Sequence, residues 1–319
     1  MPERVLAADV GGTNVRVAVV SADGQILKRE ESDTPNKGTA EEIGNVISEL
    51  ANKLFPEETG SGTVQKFGLA MPAIIDYSSG TVLRSPNLPN LDGFDMARYV
   101  ADRTGLEVIM ENDATAATLG EQWLGAAKGV ANVVCLTLGT GVGGGLIING
   151  QVIHGADGTA GEVGHMCLEP GGPPCGCGSQ GCLEQFASAT AIVRQAKEKL
   201  STGVASSLLE LPMFTSLDVF HASEHGDQLS IEVFESVGYY LGIALAGLVN
   251  LLNPEVIVIT GGASAGWDAF IGPTLEEVRK RAFQQPAERV KIVRGQLGDD
   301  AGILGAAKTA IAHTGKGSS

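Results

Sequence analysis

Basic charge is scarce in this chain: 22 Lys plus Arg stand against 37 Asp plus Glu, a net charge of -15 over 319 residues. That balance disfavours a nucleic-acid backbone or an anionic membrane surface as partner. No G-x-x-x-x-G-K-[ST] occurs, which excludes a P-loop. The one long uncharged run, Ser236 to Pro254, contains Asn250 and Asn253 and leads directly into a strand-like segment, so it reads as a buried helix rather than a membrane span. A signal peptide is not legible either, because Asp9 interrupts the apolar stretch that begins at Val5. Five cysteines is an odd number, and without an oxidising compartment a disulfide framework is not implied. Low complexity is confined to the short Thr-Gly-Lys-Gly-Ser-Ser tail. A cytoplasmic protein that handles small molecules is the expectation, and the length points to two domains.

What the chain does have is concentrated between Glu162 and Glu184: G-E-V-G-H-M-C-L-E-P-G-G-P-P-C-G-C-G-S-Q-G-C-L-E. His165, Cys175, Cys177 and Cys182 supply one imidazole and three thiolates, a set suited to a closed structural zinc site, with free buried thiols as the alternative. Gly176, Gly178 and Gly181 between the sulfurs let the backbone fold tightly around a small ion. Cys135 lies in an apolar run and reads as a core residue. Cys167 is close enough to compete as a ligand, but its two-residue distance from His165 makes joint ligation less natural.

The chain also repeats itself. V-L-A-A-D-V-G-G-T-N-V-R-V-A-V-V-S-A-D-G-Q-I-L near the start parallels V-V-C-L-T-L-G-T-G-V-G-G-G-L-I-I-N-G-Q-V-I from Val133. In each, an apolar strand enters a Gly-rich turn, a second strand leaves it, and Asp-Gly-Gln or Asn-Gly-Gln turns the chain into a third. Two copies of such a unit suggest two domains of related fold. Gly139, Gly141 and Gly144 match G-x-G-x-x-G, yet that fingerprint requires a helix after the turn, and Leu-Ile-Ile-Asn-Gly follows instead. Such turns serve either as ordinary hairpins or as phosphate cradles built from converging backbone N–H groups.

Elsewhere strands and helices alternate, which argues for α/β architecture. Strands are expected at Phe67 to Ala70, Val108 to Met110 and Val256 to Thr260, with helices over Ala114 to Lys128, ending at a Gly129 C-cap, and over Ile231 to Leu252. The last helix opens at Asp300. At Glu111-Asn112-Asp113 a carboxylate stands where a strand meets a helix, and Asp113 reads both as an N-cap and as a general base at the mouth of a cleft.

Asp9-x-Gly-Gly-Thr, Glu111-Asn-Asp, Leu138-Gly-Thr-Gly-x-Gly-Gly, Glu162-x-Gly-His, the C-x-C-G-x-x-G-C-L-E knuckle, Asn253-Pro-Glu and Gly302-Ile-Leu-Gly-Ala-Ala form an ordered series over essentially the whole chain. That series resembles the ROK group (repressors, open reading frames and sugar kinases). The resemblance implies a two-lobed actin-like and hexokinase-like fold, a duplicated ribonuclease-H-like α/β ATPase with a zinc-knuckle insertion. Its expected lobes are residues 1–115 and 116–301, with a last helix at about 302–315 packing back on the first lobe and the knuckle at 165–182.

The same resemblance implies an ATP-dependent hexose kinase. Asp113 would be the base that activates the sugar 6-hydroxyl, and Asn112, Glu162, His165 and Glu184 would bind the other ring hydroxyls. Gly11, Gly12, Thr13 and Asn14 would approach the phosphates of ATP, as would Gly139, Thr140 and Gly141. Gly261 and Gly262 would line the adenosine site, Asp9 would hold Mg2+, and His165 would both ligate zinc and touch the sugar. Pro72-Ala73-Ile74 replaces the Pro-Gly-Pro of many members, and Asn87 in Ser-Pro-Asn-Leu either faces the sugar or caps its loop. Thr115 stands where Asn is frequent. Glucose is the expected substrate, because Gly-Glu-Gln-Trp-Leu-Gly after Asp113 looks like the glucokinase branch. Mannose, fructose, allose, N-acetylglucosamine and N-acetylmannosamine stay open, as does a polyphosphate donor. A sugar-sensing regulator would need a DNA-binding module, for which a first strand beginning by Val5 leaves no room. A noncatalytic actin-like assembly protein leaves the knuckle without purpose. The resemblance further suggests a homodimer or homotetramer.

Overall fold

The computed structural model describes residues 4–54 and 64–313, so the Thr314–Ser319 tail and the end of the expected last helix lie outside the described residues. The first half runs β1 (Arg4–Val10), β2 (Asn14–Ser21), β3 (Ile26–Asp33), α1 (Ala40–Leu54), β4 (Val64–Met71), β5 (Ile74–Asp76), β6 (Thr81–Arg84), α2 (Met96–Thr104), β7 (Glu107–Asn112) and α3 (Asp113–Trp123). The second runs β8 (Val133–Leu138), β9 (Val142–Ile148), β10 (Gln151–Val152), α4 (Glu184–Ala187), α5 (Ala189–Ser201), α6 (Ser216–Glu224), α7 (Gln228–Leu252), β11 (Val256–Thr260), α8 (Trp267–Arg281), α9 (Gln284–Arg289), β12 (Lys291–Arg294) and α10 (Ala301–Ala312).

The duplication read from the two glycine turns extends to topology. One sheet is ordered β3-β2-β1-β4-β7 and the other β10-β9-β8-β11-β12. In each, the first three sequential strands pair antiparallel and the last two join in parallel. In the second copy Asn149 and Gly150 turn the chain with φ of 53° and 78°, the left-handed pair that a two-residue hairpin matched to strand twist requires. The G-x-G-x-x-G segment is the β8–β9 hairpin, which removes the dinucleotide reading.

Each sheet is covered on both faces. Ile43, Ile47 and Leu50 of α1 and Met96 and Val100 of α2 pack on Leu6, Val17, Phe67 and Leu69. On the opposite face Ile303, Leu304 and Ala307 of α10 meet Val5, Ala7, Val20 and Ala70. The long uncharged run belongs to α7, which is long and apolar enough to cross a membrane by length and composition. Its Leu229, Val233, Val237, Leu241 and Leu245, spaced by four, form a buried stripe that packs on α5, α6 and α8. Capping by Asp227, whose side chain accepts from Ser230 N–H, starts this helix three residues earlier than its apolar periodicity suggests.

Helices α3 and α10 follow the equivalent strands β7 and β12 and press against each other between the sheets. Gly305 makes this possible, since a Cβ there would stand 1.7 Å from the Ala116 carbonyl oxygen. The expected helix from Ala114 to Lys128 is shorter than its composition suggests. Fully buried Glu121 turns its carboxylate back onto Ala126 N–H (2.8 Å) and across to Gln296 N–H (2.9 Å) and Leu297 N–H (3.0 Å). These bonds replace helix continuation after Trp123 and tie α3 to the segment entering α10; Gly129, with φ of 74°, closes the following turn rather than the helix. Glu121→Ala leaves three backbone donors without their acceptor and is expected to lower the unfolding free energy by about 3 kcal/mol, whereas Glu121→Gln keeps an acceptor oxygen and loses less. Urea titration of the two variants distinguishes this role from simple packing, which would leave them equal.

Candidate active site

The end of β7 delivers Asp113 to the first turn of α3. The N-cap is Asn112, not Asp113: its extended backbone (φ −66°, ψ 144°) lets Asn112 Oδ1 accept from Thr115 N–H at 3.0 Å. A cap must lie outside the helix, and Asp113 is already its first residue. Asp113 Oδ1 accepts instead from Ala114 N–H at 2.8 Å, a short bond that helps to orient the carboxylate. Asn112 Nδ2 donates to Ala73 O at 3.3 Å, which engages the carbonyl of the Pro-Ala-Ile departure. Thr115 is buried and faces the strand glycine Gly145.

Beneath this pair lies Glu111, 1% exposed, whose Oε1 accepts from Tyr77 Oη at 2.7 Å and from Asn112 N–H at 2.9 Å. His154, arriving from the chain after β10, places Nε2 3.0 Å from Glu111 Oε2. Burial and the Glu111 charge push the Tyr77 phenol far above its ordinary pKa, keeping it a donor. Glu111 was legible as part of Glu-Asn-Asp, but its side-chain partners Tyr77 and His154 carry no sequence signal because they come from two distant segments.

Charge is crowded here. Burial raises the Asp113 pKa, and the Glu162 carboxylate adds to the rise. At the end of β1, Asp9 is pushed up to about 7 by burial first and then by Asp113, with Arg16 opposing. The Asp9 carboxylate lies against Gly302 in the first turn of α10, where a Cβ would come within 2.7 Å of it. Two buried carboxylates of raised proton affinity, one lifted in part by the charge of the other, suit a site completed by a cation.

The first glycine loop follows Asp9 directly, and the β8–β9 hairpin lies against the first turn of α3, where a Cβ at Gly143 would stand 2.8 Å from Ala114 Cβ. Gly11 N–H donates to Asn14 O at 2.8 Å, and Gly139 N–H donates to Gly141 O at 2.9 Å. Gly261 and Gly262 follow β11; Gly261 packs on the end of β8 at Leu138, and Gly262 faces open space. Glu184, the first residue of α4, accepts from Val142 N–H through Oε2 at 3.1 Å while Cys175 Sγ stands 3.8 Å from its Oε1, so it links the second loop to the knuckle. Asn87 is exposed; bracing of its loop falls to buried Ser85, whose hydroxyl donates to Pro72 O at 2.7 Å and whose N–H donates to Asp92 Oδ1 at 2.7 Å.

The knuckle gathers the four expected ligands. The ligand atoms of His165, Cys175, Cys177 and Cys182 all lie within 4.8 Å of one another. Cys175 Sγ is 3.6 Å from His165 Nδ1, and Cys177 Sγ is 3.7 Å from Cys182 Sγ. Tetrahedral zinc with bonds of about 2.3 Å to sulfur and 2.0–2.1 Å to nitrogen has edges of roughly 3.6 to 3.8 Å, so the residues fit the ion. Nδ1 is the nitrogen turned inward, leaving Nε2 3.8 Å from Glu162 Oε2 on the side away from the cluster. Cys167 is exposed and bridges the Cys182 backbone without joining the cluster, and Cys135 is buried in β8 as a core thiol.

Two α/β halves of identical strand order, each sending a glycine hairpin toward one buried carboxylate pair, define the actin-like and hexokinase-like ATPase fold, here with a four-ligand Cys/His insertion. Within that class the chain belongs to the ROK family, whose model matches residues 5–313. A glucokinase of Halalkalibacterium halodurans is 37% identical over 94% of this chain and 92% of its own length. One from Thermotoga maritima is 37% identical over 96% and 97%. Among solved structures, a ROK family glucokinase from Streptomyces griseus in complex with glucose and AMPPNP is 33% identical, with a TM-score of 0.82 over 96% of this chain and 99% of that one.

Proposed function

We propose that this chain is an ATP-dependent glucokinase that converts glucose and MgATP to glucose 6-phosphate and ADP. The observation that carries the reading is Asp113, a carboxylate of raised proton affinity held on the first turn of α3 where the two glycine loops converge. The identity to two glucokinases over nearly the whole chain supports the substrate.

In this reading the sugar 6-hydroxyl gives its proton to Asp113 as the oxygen attacks the γ-phosphorus and the bond to the bridging oxygen of ADP breaks. Asn112 Nδ2, with one hydrogen on Ala73 O, offers its other to the sugar. Glu162, His165 Nε2 and Glu184 take further ring hydroxyls. N–H groups of Gly12, Thr13, Thr140 and Gly141 bind phosphate oxygens, and Gly261 and Gly262 approach the adenosine. Asp9 would hold Mg2+, which would supply positive charge to the phosphate oxygens. His165, Cys175, Cys177 and Cys182 would hold zinc, which would fix the imidazole and the knuckle. The lobes divide near 115/116 and again near 301/302, so the sugar lies between them. The reduced thiols the knuckle needs support a cytoplasmic location, and the family resemblance supports a homodimer or homotetramer.

The test is a coupled ADP-release assay with MgATP across glucose, mannose, fructose, allose, N-acetylglucosamine and N-acetylmannosamine. Glucose is expected to give the highest kcat/KM; preference for another sugar replaces the substrate, and no turnover in zinc-loaded protein removes the kinase reading. A sugar-sensing role is the second reading. It is favoured by 30% identity to a putative xylose repressor of Caldicellulosiruptor over 94% of this chain and 76% of that protein.

A further inference from the structure

Both glycine loops have their carbonyls tied from behind, and by residues that no motif contains. In the first loop, Thr34 Oγ1 donates to Gly11 O at 2.7 Å, Asn36 Nδ2 to Gly12 O at 3.1 Å and Thr34 N–H to Thr13 O at 2.7 Å. Three consecutive carbonyls are thus held by the three-residue segment that leaves β3. In the second loop, Ala189 N–H donates to Gly139 O at 2.8 Å and Thr190 Oγ1 to Thr140 O at 2.8 Å. There the holding segment is the start of α5, distant in sequence from the β8–β9 hairpin.

A trans peptide is planar, with its C=O and the next N–H pointing in opposite directions. Fixing the carbonyls of Gly11 and Gly12 on one side therefore turns the N–H groups of Gly12 and Thr13 to the other. The same geometry turns the N–H groups of Thr140 and Gly141 away from α5. A glycine loop free of such ties rotates its peptides at little cost, because glycine tolerates most backbone angles. Each threonine removes that freedom before any ligand arrives, which is the condition under which N–H groups stabilise developing charge without reorganising.

We infer that Thr34, Asn36 and Thr190 are positioning residues: they act as two slings that hold the backbone N–H groups of both glycine loops in the orientation that binds the phosphates of a nucleoside triphosphate. This rests on the phosphoryl-transfer reading above. The sling segments differ in setting. Thr34 is 6% exposed at the end of a sheet edge, and Asn90 Nδ2 donates to Gly38 O just beyond it, bracing the first sling from the 85–94 loop. Thr190 stands exposed on the first turn of α5, so its replacement disturbs no core.

Thr34→Val and Thr190→Val keep size and branching and delete only the hydroxyl donor. Loss of one hydrogen bond predicts a rise in KM for MgATP of roughly 2- to 12-fold in each, with the KM for glucose unchanged. Thr34→Ser and Thr190→Ser restore the donor and are expected to restore the KM. Calorimetric titration of MgADP into each variant reads the same loss without turnover. A purely structural role would lower Tm and spare the nucleotide KM, and that result in both valine variants overturns the inference. Because Thr190 is exposed, the inference stays testable even if Thr34→Val fails to fold. A wild-type chain that binds no MgADP sinks the nucleotide reading and the slings together; one that binds and turns over MgATP while both valine variants match it sinks the slings alone.

Discussion

Asp113→Asn is expected to lower kcat by on the order of 100- to 10,000-fold, the range that loss of a general base produces, while glucose binding by calorimetry changes little. Asparagine keeps the acceptor for Ala114 N–H and the shape of the first turn of α3, so the loss isolates the proton transfer. The pH dependence carries a second signature. Catalysis needs the carboxylate form, and burial with Glu162 nearby raises the pKa, so the acid limb of kcat/KM lies above the ordinary carboxylate range. The Asp113 charge is also one cause of the raised Asp9 pKa, so its removal lowers the proton affinity of Asp9.

Stability follows with the opposite sign. A carboxylate whose pKa is raised by folding binds its proton more tightly in the folded state. Its favourable contribution is present below the unfolded value and lost as pH rises through the folded one. For Asp9 that window runs from the ordinary Asp value of about 4 to about 7. At neutral pH the charged site thus strains the fold, and Asp113→Asn should melt at a higher temperature than the wild type even as it stops turning over. Equal or lower Tm with full activity would remove Asp113 from the chemistry.

Much of this site was readable in advance, and the reason is physical. Glycine hairpins, Asn-Asp at a strand–helix junction and a Cys/His knuckle are local, so short sequence spacing records them. The duplication was visible because the two glycine turns repeat in order, and the sheet orders β3-β2-β1-β4-β7 and β10-β9-β8-β11-β12 follow from it. What the sequence concealed is side-chain choice between equivalent local bonds and contacts across distance. Asn112 and Asp113 both qualify as caps, and only the backbone angles decide between them. Glu121 ends α3 through partners at 296 and 297, and the helical composition of residues 124–128 carries no trace of that competition. Thr34 and Thr190 are ordinary residues in segments without a motif. Their roles exist only in relation to carbonyls more than 20 residues away in one case and 50 in the other.

Removing the metal from the knuckle is expected to abolish tight glucose binding while leaving most secondary structure in place. His165 and Glu184 lie at opposite ends of the knuckle, and no regular helix or strand longer than three residues holds the chain between them. Backbone bonds such as Leu168 N–H to Gly181 O and Leu183 N–H to Met166 O close the stretch on itself; the four ligands would add the cross-link that ties His165 to it, and structural zinc couples its binding energy to folding of its loop. In the proposed reading His165 and Glu184 each bond a sugar hydroxyl, and two such bonds of about 1.5 kcal/mol or more correspond to roughly a 100-fold loss of affinity when both are released. The sheets are built from residues outside the knuckle, so far-UV circular dichroism should change little. Chelation followed by glucose titration, then addition of one equivalent of zinc, tests the sequence of events. Cys175→Ser should lose both the metal and the glucose affinity. Cys167→Ser should retain one zinc per chain, because Cys167 stands outside the ligand cluster. Unchanged glucose affinity in metal-free protein would mean that hydrogen bonds such as Glu184 to Val142 N–H hold this wall of the site without the ion.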